Sequence, residues 1–167
     1  MQSYGYCEEM RVSVCQRSTR FCTMQTMSQA LVSAITAHIE SQGLNIKEDP
    51  LMCCKTISTR QIKKLFSKRQ EISVTSVALF SKWLVYAVYY PDQTRTGFPT
   101  VISERLAGLR VVDYESTGLY KMCADTGLSI TGVITGGGEV GSIFLGLGPE
   151  PAAIALRAAV KEAVSEA

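Results

Sequence analysis

Six short runs of β-branched, aliphatic and aromatic residues, at 52–60, 72–80, 83–90, 109–115, 128–134 and 142–146, are separated by turn residues and flanked by two segments of helical period. Runs this short, joined by connections too brief for crossover helices, pair with their chain neighbours in antiparallel fashion. The order predicts an α+β fold: an antiparallel barrel or sandwich of about seven strands with a helix at each end.

The first helical segment runs over 27–42, where Leu31, Ala34, Ile35, His38 and Ile39 share one face. Thr26 and Gln29 have capping-box spacing, and Gly43 supplies a stop. His38 lies beside the apolar stripe and reads as a packed or half-exposed residue, since catalysis or metal binding needs partners it lacks. In the closing helix, after Pro149 and Pro151, residues Ala153, Leu156, Val160, Ala163, Val164 and Ala167 trace an apolar face. Arg157, Lys161 and Glu162 fall mostly toward solvent. The runs at 72–80 and 83–90 form a hairpin across Ser81-Lys82, and residues 91–99, with two prolines and a glycine, form a long loop or sheet corner. Residues 1–25 show no sustained period and are expected to be a flexible leader or to follow a mis-assigned start; residues 26–167 form a single domain.

With 46% apolar and 19% charged residues in 167, the chain has the composition of a packed core and not of disorder. A net charge of +2 announces no nucleic-acid or membrane partner, so any such claim must come from local clustering. The longest unbroken apolar run, 83–90, falls well short of the roughly 20 residues of a membrane-spanning helix. No secretory pattern opens the chain, so the expected compartment is the cytoplasm. Six cysteines occur without a Cys-x-x-Cys pair and with a single histidine, which predicts free thiols, no metal and no cofactor. Adjacent Cys53 and Cys54 point to opposite faces of a strand, suggesting one packed and one exposed thiol.

The stretch Val77-Ala78-Leu79-Phe80-Ser81-Lys82-Trp83-Leu84-Val85-Tyr86 resembles the strand-turn-strand centre of bacterial pleckstrin-homology-like (PH-like) domains. Arg105-Leu106-Ala107-Gly108-Leu109-Arg110-Val111-Val112-Asp113-Tyr114 resembles the strand that follows it there, and Ser142-Ile143-Phe144-Leu145-Gly146-Leu147-Gly148 resembles the junction of final strand and helix. The resemblance covers about residues 50–166 and rests on pattern, not on an invariant motif. It implies a bent barrel plugged by the closing helix, with an added amino-terminal helix, serving as a binding scaffold.

The sharpest local feature is basic: Lys55, Arg60, Lys63, Lys64, Lys68 and Arg69 lie between Asp49 and Glu71 with no intervening acid. Such a cluster captures phosphate or carboxylate groups, and in PH-like folds the early hairpin holds anionic headgroups. A charged hairpin also protects strand edges from aggregation, and no compact Lys-x-Arg ligand motif is present in it. Gly136-Gly137-Gly138-Glu139-Val140-Gly141 matches a dinucleotide fingerprint by letter, but strand character follows it where a helix is required, so it reads as a hairpin turn. One imidazole and no Gly-x-Ser-x-Gly elbow argue against a hydrolase triad. Asp113 and Glu115 read as solvent-exposed carboxylates, and Trp83, Tyr86, Tyr89 and Tyr90 as core and rim packing, not a base-stacking platform for nucleic acid.

These features imply a non-enzymatic binding or interaction module whose partner is an anionic ligand or another protein, met at the basic hairpin or an apolar barrel surface. The alternative is a self-associating homo-oligomer joined through the first helix or an open strand edge. A third class, an enzyme or small-molecule receptor with a pocket under the 91–99 loop and the triple-glycine turn, lacks acid-base residues there.

Overall fold

The computed structural model describes residues 15–64, 67–91, 98–134 and 138–167. Eight strands and two helices follow in the order β1 (Cys15–Phe21), α1 (Gln29–Ser41), β2 (Met52–Lys64), β3 (Ser67–Leu79), β4 (Trp83–Tyr89), β5 (Thr100–Arg105), β6 (Arg110–Asp113), β7 (Gly127–Ile134), β8 (Val140–Gly146) and α2 (Pro151–Glu166). Every pairing is antiparallel, giving a sheet β1-β2-β3-β4-β5 and a second sheet β6-β7-β8. The fold is therefore α+β, as the pattern of short runs predicts. No ladder joins the two sheets among the described residues, so the expected barrel is instead two sheets.

The larger sheet is covered on both faces. On one, Cys54, Val77, Leu79, Leu84 and Tyr86 meet Leu128, Ile130 and Leu145 of the smaller sheet and Ala153, Leu156 and Val160 of α2. Burying Leu156 alone contributes about 2 kcal/mol, and it is fully enclosed. On the other face, Cys53, Ala78, Val85 and Ala87 pack beneath Leu31 and Ile35 of α1 and Met27 just before it. This double coverage corrects the expectation for the adjacent cysteines: Cys53 and Cys54 do point to opposite faces, but both are buried because each face has its own core.

Local signals shift by a few residues. Ser28, not Thr26, caps α1 by accepting from the Leu31 N–H, while Thr26 is held in a turn with Thr23. Gly43 follows at φ +63°, a left-handed conformation that suits glycine. His38 is half-buried, its Nε2 3.0 Å from Ser103 Oγ of β5.

Two strands lie outside the six runs. β5 follows the 91–99 loop, of which residues 92–97 are not among those described. β1 lies inside the stretch expected to be a leader; from Cys15 onward that expectation is corrected, and residues 1–14 lie outside the described set. The residues β1 turns toward the smaller sheet include Arg17 and Thr19, too polar to create a hydrophobic period, and their partners are far along the chain. Arg17 Nη1 donates to Asp125. Thr19 donates its backbone N–H to Glu150 (2.9 Å), and its hydroxyl accepts from the Gly148 N–H (2.9 Å). The Glu150 carboxylate thus serves one β1 amide where a neighbouring strand would.

Four of the charges expected in solvent, Asp113, Glu115, Arg157 and Lys161, are paired. Arg157 Nη1 donates to Glu115 (2.9 Å) and Asp113 (3.3 Å), and Lys161 Nζ to Asp113 (2.6 Å), tying α2 to β6 and the 3-10 turn after it. These hydrogen bonds and the positive neighbours hold the Asp113 carboxyl below its ordinary range.

Candidate functional site

β2 and β3 are each thirteen residues long and outrun their neighbours. The β1 ladder reaches only to Arg60 and the β4 ladder only to Val74, so the pairs Gln61↔Gln70, Ile62↔Arg69, Lys63↔Lys68 and Lys64↔Ser67 stand as a two-stranded ribbon without a third strand among the described residues. At about 3.4 Å per residue this ribbon projects roughly 13 Å. Four of the six candidate cations, Lys63, Lys64, Lys68 and Arg69, occupy it.

Register distributes the six over both faces. Lys55, Lys63 and Lys68 fall at positions of the α1-covered face, whereas Arg60, Lys64 and Arg69 fall at positions of the face turned toward the smaller sheet. Lys55 is not part of the ribbon: it sits eight residues from Lys63, about 27 Å along the strand, exposed and directly opposite Arg20 of β1. Arg60 stands opposite Glu71 at the ribbon's base. The pair Lys63↔Lys68, one step from the last pair of the ladder, sets two lysines at facing register positions.

At the base of the ribbon, on the Arg60 face, lies a cleft of about 290 Å³ that the sequence does not reveal. Arg17, Ser58, Arg60, Glu71, Ser73, Thr75 and Tyr90 supply its polar lining, with Phe144 and Gly146 from β8 across it. Ser58 and Ser73 are directly paired, as are Arg60 and Glu71 nearer the tip, so the hydroxyls continue inward from an Arg60–Glu71 pair. Arg17 is held from behind: it pairs with Asp125, its guanidinium lies 5.3 Å from the centre of the Phe144 ring, and its Nε is buried without a hydrogen-bond partner among the described residues. Cys15 also lines this cleft; burial, its largest influence, raises its thiol above the ordinary value of 9.0 and outweighs Arg17, leaving it a protonated and weak nucleophile near neutral pH.

A second cavity of about 330 Å³ lies where the loop after α1 meets the β3–β4 turn, with Lys47, Glu48, Lys82 and Trp83 in its wall. Glu48 is spent on structure, accepting from the Ser81 N–H at 2.8 Å and from its hydroxyl.

The triple-glycine segment lies mostly outside the described residues, but β7 and β8 on either side of it pair as an antiparallel hairpin up to Ile134↔Val140. A strand, and not a helix amino terminus, therefore follows it, as expected for a turn. No group of three or more His, Cys, Asp or Glu arranged to hold a metal occurs among the described residues. No described helix is long and apolar enough to cross a membrane. Tyr86 is buried, Tyr89 and Trp83 are half-buried, and Tyr90 reaches the cleft. No family model, curated protein or solved structure matches the chain.

Proposed function

We propose that this chain is a non-enzymatic binding module on a PH-like scaffold, and that it captures an anionic group on the β2–β3 ribbon and the cleft at its base. The scaffold reading is supported by element order: four strands in series (β2 to β5), three more (β6 to β8) and a closing helix, with β1 and α1 as additions. The observation that carries the binding reading is the ribbon's concentration of like charge, with Lys63 opposite Lys68 in register and with Lys64 and Arg69 beside them. Like charges at facing positions of a projecting ribbon are retained at a cost that a bound anion removes. On the other face, Arg60, Lys64 and Arg69 lead to serine and threonine hydroxyls, which donate to phosphate or carboxylate oxygens. The weak thiol in the cleft fits binding better than nucleophilic chemistry.

The test is a thermal-shift titration of wild type and of the Lys63→Gln, Lys64→Gln, Lys68→Gln, Arg69→Gln variant, with inositol hexakisphosphate and a polyglutamate peptide as probes at low and at physiological salt. A probe at about 100 times its Kd stabilises the folded chain by about 2.7 kcal/mol, a rise of roughly 5–10 °C. The wild type is expected to show this rise at both salt concentrations and the variant to lose it. Equal rises in both proteins, or none in either, would refute the reading.

A further inference from the structure

β1 ends at Phe21, paired with Cys54, and the next register step sets Cys22 opposite Cys53, with the Cys22 N–H donating to the Cys53 carbonyl at 3.0 Å. Both residues belong to the same side of the sheet, packed in the core beneath α1. Hydrogen-bonded antiparallel partners hold their Cα atoms about 5.5 Å apart, inside the range of roughly 4.4–6.8 Å that a disulfide spans. The other described cysteines are elsewhere. Cys54 faces the opposite core and donates its thiol to the Ala152 carbonyl at 3.7 Å; Cys15 lines the ribbon-base cleft; Cys123 is exposed, in the segment that Tyr114 grips.

We propose that Cys22 and Cys53 form an oxidation site, a cross-strand dithiol that closes to a disulfide in the presence of a low-molecular-weight disulfide such as oxidised glutathione. Cys22 is the half-buried and more accessible of the two, so it attacks first. Its thiolate displaces one glutathione from the glutathione disulfide and forms a mixed disulfide. The Cys53 thiolate then attacks the Cys22 sulfur and releases the second glutathione. Two protein thiols are oxidised, one glutathione disulfide is reduced to two thiols, and the two protons leave with them. Burial raises both protein thiols, Cys53 to about 12, so the reaction is slow at neutral pH and accelerates as pH rises. A hydrogen-bonded register keeps the Cβ atoms at the wide end of cross-strand spacing, which favours easy re-opening by a reductant.

The bridge encloses residues 23–52, which carry the whole of α1, and so staples that helix to the sheet. Closing a loop of this length predicts an increase in Tm of roughly 10 °C. The folded protein is incubated with oxidised glutathione at mildly alkaline pH and digested with trypsin without reduction. The expected product links peptide 21–47 to peptide 48–55, persists in Cys54→Ser, is absent in Cys22→Ser, and accompanies a Tm rise reversed by dithiothreitol. A Cys22 recovered only as its glutathione adduct, a link lost in Cys54→Ser, or no link at all while the protein remains folded would overturn the proposal. Cys22→Ser lies just past the end of β1 at a half-buried position; its Tm without oxidant checks that it folds, and its unchanged Tm under oxidant is the control.

Discussion

Replacing Gly146 by alanine tests how β1 is held to the smaller sheet. Gly146 is not among the glycines with positive φ, so its backbone accepts alanine, and in a strand that change alone is neutral or stabilising by up to about 1 kcal/mol. The space is not free: an added Cβ would lie 2.7 Å from Arg17 Cζ and 2.9 Å from Nη2, with Nε closer still. Arg17 must therefore leave. It forfeits its contact with the Phe144 ring and its ion pair with Asp125, two side chains only 11% and 16% exposed. Breaking a buried pair costs about 3–5 kcal/mol, but the displaced guanidinium regains water and Asp125 keeps the Thr126 N–H at 2.7 Å. A net destabilisation of about 2 kcal/mol, or a Tm lower by roughly 5 °C, is expected in urea or thermal unfolding. The decisive readout is a double-mutant cycle. In an Arg17→Ala background, Gly146→Ala should cost nothing, giving a coupling of about 2 kcal/mol. If Gly146→Ala costs the same in both backgrounds, Arg17 is not the reason for the glycine.

Thr19→Val should lower stability by about 1–3 kcal/mol at nearly constant volume, because the buried hydroxyl accepts from the Gly148 N–H (2.9 Å) and bonds Thr56 Oγ1 (2.8 Å); chemical denaturation measures it, and a neutral result would show that neither partner depends on it. Lys161→Met should cost at most about 1 kcal/mol at neutral pH, discounted for side chains 37% and 40% exposed. The sign follows from Asp113, whose folded carboxyl sits below the ordinary 3.8: its contribution is full above that value and disappears as pH falls through the lower, folded one. Wild-type and Lys161→Met stabilities should therefore converge in strong acid, and a difference that persists there would remove Asp113 as its source.

The chain's local order determined its class. Helical period and short β-rich runs are read residue by residue, and they place both helices and six of the eight strands. Even the division of the basic cluster over two faces follows from parity once β2 and β3 are extended: Lys55 and Lys63 are an even number of residues apart, and Arg60 is an odd number from either. Tertiary structure decided the rest. β1 was invisible because its bonds run to Asp125, Gly148 and Glu150, far along the chain, and because polar side chains that find such partners leave no hydrophobic period. The same holds for Asp113 with Lys161, and for Cys53 and Cys54, both buried because two separate cores cover the one sheet. The cleft exists only because β8 brings Phe144 and Gly146 against Arg17, Ser58 and Ser73. A side chain's environment is set by whatever the fold stacks on it, and local sequence carries the period of an element without naming its cover.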